Sequence, residues 1–257
     1  MLFAFLLWAS QVPPPTAVPH LWWAQRLVAD IKPENNRYGS RPTQLEWRGT
    51  NGATTTINRT VCSSLITGLL RKAYNYGPET MRRWLDTSTP NAARYHQAIS
   101  SGNQFNLITQ IQKIKPGDVI AIRYSQLDNR GDRGSSSSGH TMLVASPPIP
   151  QTYRATQRDM AFGSTSKQYR VSVIDSSRSG HGMLDTRLMP TGGWGQGGVG
   201  LGTIILEANP TGNILGYRWS DRLGSPLRRQ SDQSLVVGRF CGLNCGSRPR
   251  SNDATSD

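Results

Sequence analysis

Three side chains that together can transfer an acyl group stand at the ends of regular elements in this chain: a cysteine, a histidine and an aspartate. Cys62 opens a stretch in which Leu65, Ile66, Leu69, Leu70 and Ala73 recur at the offsets of one helical face, with Thr60 expected to cap the first turn. A thiol is a weak nucleophile until it ionises, and the unpaired N–H groups and dipole of a helix start favour the thiolate. His140 opens the apolar run Thr141-Met142-Leu143-Val144, so a rigid strand end can hold its ring in a cleft. Asp175 closes the run Val171-Ser172-Val173-Ile174, where a carboxylate can accept the second ring N–H of the base and fix its tautomer. A free cysteine taken alone is more often a small buried hydrophobe. Its company is what marks Cys62 as a nucleophile, with His140 as general base and Asp175 as the orienting third residue.

The elements that must position these residues fall into two halves. A first helix is expected from His20 to Ile31, stopped by Pro33, then a polar irregular loop over 34–59 and a helix from Thr60 to Tyr74. Gly77-Pro78 ends that helix, Pro78 opens another through Trp84, and amphipathic segments follow near 91–100 and 105–112. After Lys115-Pro116-Gly117-Asp118 six strands are predicted, at 119–124, 141–145, 169–174, 203–208, 214–219 and 235–240. Helices segregated before an antiparallel sheet of about six strands imply an α+β domain. Residues 1–19 read as an apolar N-terminus and Pro-rich linker, 20–245 as one domain and 246–257 as a polar tail. The Gly192 to Gly202 run lacks the strand-to-helix context and the following Lys-Ser/Thr of a phosphate loop, and is expected to be a lip beside a cleft.

In order along the chain, Thr60-Val61-Cys62-Ser63-Ser64-Leu65-Ile66, Lys115-Pro116-Gly117-Asp118-Val119-Ile120 and Gly139-His140-Thr141-Met142-Leu143-Val144 resemble the NlpC/P60 superfamily of papain-like cysteine hydrolases, over roughly residues 47–175. The resemblance implies a papain-like α+β fold with N-terminal helices packed on the sheet. It also implies a Cys62, His140, Asp175 triad and hydrolysis of amide bonds in cell-wall peptides. Val61 stands where the family usually has an acidic residue and Ser64 where many members have Gly, which marks a divergent branch. Oxyanion or substrate contacts are expected from Trp47, with Tyr38 behind it, and from Ser63, while His181 in its Gly-rich loop is a candidate to line the cleft. His20 and His96 are expected on helix surfaces, and Asp118 is expected to shape the turn before its strand.

The formal charge of +13 calls for anionic surroundings, such as an acidic cell-envelope polymer or a peptide substrate, without deciding among them. No nucleic-acid-binding motif is present, and the three cysteines lack the spacing of a zinc site, so neither metal nor cofactor is expected. Cys241 and Cys245 can pair, which would leave Cys62 as the odd thiol. The apolar run at 2–9 is too short to span a bilayer and fits the core of a short export signal, giving a secreted, periplasmic or envelope-bound monomer as the expectation. Two other readings compete with a cell-wall hydrolase: a protein deamidase or lipid acyltransferase using the same thiol, and a non-catalytic glycan- or peptide-binding module.

Overall fold

The computed structural model describes residues 12–125, 137–151, 165–242 and 245. The apolar run at 2–9, most of the 125–139 loop and the 246–257 tail lie outside these residues. Helix α1, Pro19–Asp30, begins with proline at its first position, where no N–H bond is lost, and gives way to extended backbone at Ile31 before Pro33. Helix α2, Cys62–Tyr74, ends at Asn75 in a left-handed conformation. Helices α3, Pro78–Leu85, and α4, Ala92–Ser100, follow, the latter capped by the Asn91 side chain accepting from the Arg94 N–H.

The region expected to be an irregular loop over 34–59 folds instead. Strands β1, Asn36–Tyr38, β2, Gln44–Glu46, and β3, Ile57–Thr60, form a small sheet in the order β1-β3-β2, with β1 and β3 parallel. The amphipathic segment near 105–112 is not a helix: Phe105–Ile108 is strand β4, followed by a single 3-10 turn at Ile111–Lys113.

The main sheet corrects the six-strand, papain-like expectation. It has nine strands, which with four helices among the described residues is a larger sheet and a different balance of layers. Besides β4 it contains β5, Val119–Tyr124, β6, Gly139–Val144, β7, Ile149–Gln151, β8, Lys167–Ser177, β9, Gly198–Ala208, β10, Ile214–Arg218, β11, Leu227–Arg229, and β12, Gln233–Phe240. Their order is β11-β10-β9-β8-β6-β5-β12-β4, with β7 also pairing β8. The surplus comes from three short strands and from two long ones. Strands β8 and β9 pair along eleven positions and take in residues expected to belong to the 176–202 loop.

Alternation along the strands divides the core in two. Val119, Ala121, Leu143 and Ile174 pack with the helices, alongside Leu27, Leu65, Leu69 and Tyr95. Ile120, Ile122, Met142, Val144, Val171 and Val173 fill a second cluster with Leu206, Tyr217 and Val237. His140 keeps the register of Met142 and Val144, and Asp175 that of Val171 and Val173. Both therefore extend from the edge of the second core.

The split between their strands is visible in the pairing. Strands β6 and β8 pair only at Leu143↔Ile174 and Val144↔Val173, and part beyond those positions. The start of α2 enters the gap: Ser176 Oγ donates to the Thr60 carbonyl at 2.7 Å, and the Thr141 N–H donates to the Cys62 sulfur.

Candidate active site

Two side-chain amides, of which Asn58 is buried, hold Cys62 at the split. Asn58 Nδ2 donates to Asn36 Oδ1 at 2.9 Å, Thr60 Oγ1 to Asn58 Oδ1 at 2.6 Å, and Asn36 bridges to the backbone of Val199 in β9. Thr60 is thus spent within the small sheet and does not cap α2. The cap position is Val61, whose N–H donates to Ser64 Oγ at 2.9 Å. Leu65 N–H makes the first helical bond, to the Val61 carbonyl, so the N–H groups of Cys62, Ser63 and Ser64 precede the helix's own hydrogen bonding. With Cys241 and Cys245 joined in a disulfide, Cys62 is the chain's free cysteine, and it is buried.

Cys62 and His140 are hydrogen-bonded. Because His140 Nε2 donates to Asp175 Oδ2 at 2.6 Å, Nδ1 is the nitrogen left to face the thiol. Of the sequence-predicted residues, His140 and Asp175 are thus directly bonded, and Cys62 interacts with the same histidine.

His181, expected only to line a cleft, is fully buried and belongs to the same cluster. Its Nε2 donates to the same Asp175 oxygen at 2.9 Å and its Nδ1 to the Trp219 carbonyl at 2.8 Å. The Trp219 ring lies against both histidines, at centroid distances of 4.8 and 4.4 Å.

Two charged residues complete the array. Arg187 Nη1 lies 2.9 Å from Asp175 Oδ1, and its Nε and Nη2 form a fork on Asp185 at 2.8 and 2.7 Å. Asp185 in turn accepts the His181 backbone N–H at 2.8 Å. Neither Asp185 nor Arg187 stands out in a loop without periodicity, but the sequence does carry a trace of them. Gly198, Gly200 and Gly202 alternate on one face of β9, and a Cβ at Gly200 or Gly202 would overlap the Arg187 or Asp185 side chain. A strand with one bare face signals bulky side chains lying across it.

The charges set the protonation of the cluster. Burial would push the Cys62 thiol up, but the His140 charge and the hydrogen bonds from His140 and Thr141 outweigh it and leave the thiol lowered. Burial likewise opposes a charged His140, yet the Cys62 thiolate and Asp175 raise it to about 10. Burial disfavours the Asp175 carboxylate, while Arg187 and His181 hold it well below the usual carboxylate range. Both shifts act in the direction of a thiolate–imidazolium pair, beside an aspartate that is held ionised.

His140, Asp175 and His181 also have the composition of a metal site, with ligating atoms within 4.8 Å of one another. Their spacing is that of direct hydrogen bonds, however, at 2.6 and 2.9 Å. Ligands of a tetrahedral ion at ~2.1 Å stand roughly 3.4 Å apart. Arg187 moreover holds the other oxygen of Asp175. The residues fit a proton-linked array better than a metal.

The remaining expectations divide. Trp47 is a core residue: its indole N–H donates to the Trp23 carbonyl and its ring lies 5.9 Å from the Lys72 ammonium. Lys72 stands ten residues beyond Cys62, in the last turn of α2, and Trp47 packs there with Trp23. Tyr38 pairs in register with Thr60 and lies much closer. Ser63, at the helix start, is buried. His20 is not on a helix surface; it is buried, bonded to the Tyr74 hydroxyl and the Gly117 carbonyl. His96 is half-buried on α4 and bonds to Ser234. Asp118 accepts the Lys115 N–H within the turn before β5 and pairs with Arg239.

Fold and site together define an α+β protein with a free cysteine set against a buried His–Asp–His cluster. No protein-family model and no solved structure matches the chain. Among curated proteins it is similar to uncharacterized protein R653 of Acanthamoeba polyphaga mimivirus, with 32% identity over 222 residues that cover 86% of this chain and 95% of that protein. The chain belongs to the family of that mimivirus protein. No helix among the described residues is long and apolar enough to cross a membrane.

Proposed function

We propose that this protein is a cysteine-dependent hydrolase that cleaves amide bonds by acyl transfer. The observation that carries the reading is the buried Cys62 beside His140, which lowers its thiol, with His140 held in turn by Asp175. A structural cysteine has no need of an imidazole and a backbone N–H aimed at its sulfur.

In the first half-reaction the Cys62 thiolate attacks the substrate carbonyl carbon, and the N–H groups of Cys62 and Ser63 at the start of α2 take up the oxyanion. The imidazolium gives its Nδ1 proton to the leaving amine as the C–N bond breaks, which leaves a thioester and a neutral His140. Water then loses a proton to His140 Nδ1 as it attacks the thioester. The C–S bond breaks, the acid leaves, and the ion pair is restored. Nε2 stays on Asp175 throughout, and His181 and Arg187 keep that carboxylate ionised and oriented.

The three motifs shared with NlpC/P60 enzymes point to peptides of the cell envelope as the substrate class. The test is digestion of purified peptidoglycan with mass analysis of the products. Wild type is expected to release peptide fragments, whereas Cys62→Ala releases none and keeps the wild-type circular dichroism and unfolding midpoint. Full activity in Cys62→Ala would refute the mechanism. Cell wall bound but never cleaved by the wild type would favour a glycan- or peptide-binding module instead.

A further inference from the structure

Next to the start of α2 lies an open basin of about 530 Å³ lined by Arg37, Tyr38, Arg178, Gly195 and Gln196. Several contacts tie it to the active site. Tyr38 is the register partner of Thr60, two residues before Cys62, and the Gly39 N–H donates to the Thr60 carbonyl at 3.1 Å. Ser176 Oγ reaches the same carbonyl, and Arg178 follows two residues further along the chain, just past the end of β8. The Tyr38 N–H donates to the Gln196 carbonyl at 3.1 Å, which fixes the Gly-rich lip along one rim.

The chemistry of the basin is cationic. Arg37 and Arg178 are exposed, and neither forms an ion pair with a carboxylate among the described residues. The Arg178 guanidinium sits 5.7 Å from the centre of the Tyr38 ring, which orients it while leaving its N–H fork available. Two guanidinium groups lining one small basin suit an anion with two or more oxygens, because each fork can bind in bidentate fashion.

We propose that this basin binds an anionic group of the substrate, a carboxylate or a phosphate, carried beside the acyl group that Cys62 attacks. The proposal rests on the hydrolase reading and supplies what that reading lacks, a reason for the enzyme to select one class of amide. It also gives part of the +13 charge a local task.

The test compares alkylation of Cys62 by iodoacetate, which is anionic, and iodoacetamide, which is neutral, against the same ratio for N-acetylcysteine. The iodoacetate-to-iodoacetamide ratio is expected to exceed that of the small thiol by about tenfold, equivalent to ~1.4 kcal/mol. The Arg37→Gln, Arg178→Gln double variant, which retains His140 and its charge, should lose most of this excess. A ratio unchanged by the double variant would overturn the proposal. Competition separates the sources: protection by inorganic phosphate at lower concentration than by succinate assigns a phosphate, and the reverse assigns a carboxylate. Protection by neither overturns the basin as an anion site. Rapid reaction with iodoacetamide but no anion preference removes this proposal and leaves the hydrolase standing. A Cys62 inert to both reagents removes both.

Discussion

At the scale of single residues, the activity proposed here depends on an acid and a base that have exchanged a proton. An isolated buried thiol would hold its proton above the ordinary value of 9.0, and an isolated buried histidine would lose its own. Set together over Asp175, each reverses the other. The sign follows for activity: the ion pair persists from the lowered thiol value up to about 10, where His140 gives up its proton. The ratio kcat/KM is therefore expected to rise on the acid side as Cys62 ionises and to fall near pH 10, which a pH–rate profile checks. Arg187 is the residue whose loss should cost most in stability. Arg187→Met leaves Asp185 buried without a cation and strips Asp175 of its guanidinium partner, at about 3–5 kcal/mol, measurable by denaturant unfolding. Cys62, His140 and Asp175 were legible in the sequence because each sits where an apolar pattern begins or ends. His181, Asp185 and Arg187 lie in a loop without periodicity, and only the alternating glycines of β9 hint at them.

At the scale of elements, the site exists because two neighbouring strands separate. Strands β6 and β8 stop pairing at Leu143 and Ile174, and the backbone N–H of Thr141 turns to a sulfur in place of a strand partner. The small sheet β1–β3 aims α2 into that gap. It was invisible to pattern reading because strands of three or four residues, among Asn and Gly, carry too little alternation to register. The same limit explains β4: Phe105, Ile108 and Ile111 meet a helical template as well as the start of a strand, and pairing with β12 decides between them. The link from sheet to helix is the fully buried Asn58. Asn58→Ala leaves Asn36 and Thr60 short of partners and should cost about 1–3 kcal/mol. It should also slow alkylation of Cys62, because the helix start is then less firmly held over His140. Equal alkylation rates in wild type and variant would separate the small sheet from the site.

At the scale of the whole molecule, the sequence carried the helices and the six longest strand segments, while the completed sheet depended on long-range pairing that no local pattern encodes. Three short strands and the glycine-bearing ends of β8 and β9 acquire their structure from neighbours, which is where propensity is weakest. The net charge of +13 acts at this scale too. Association with a polyanionic cell-wall polymer should weaken steeply as salt is raised from about 50 to 200 mM, since exposed charges are screened over about 10 Å at 0.1 M; co-sedimentation across that range checks it. The central claim, a thiolate at Cys62 maintained by His140, is tested most directly by the pH dependence of iodoacetamide alkylation in wild type and His140→Ala, with the adduct located by mass spectrometry. The expected result is fast modification of Cys62 that is nearly flat across neutral pH in the wild type, and in His140→Ala slow modification that climbs about tenfold per pH unit toward and beyond 9. Two superimposable profiles, both climbing as an ordinary thiol does, would contradict it.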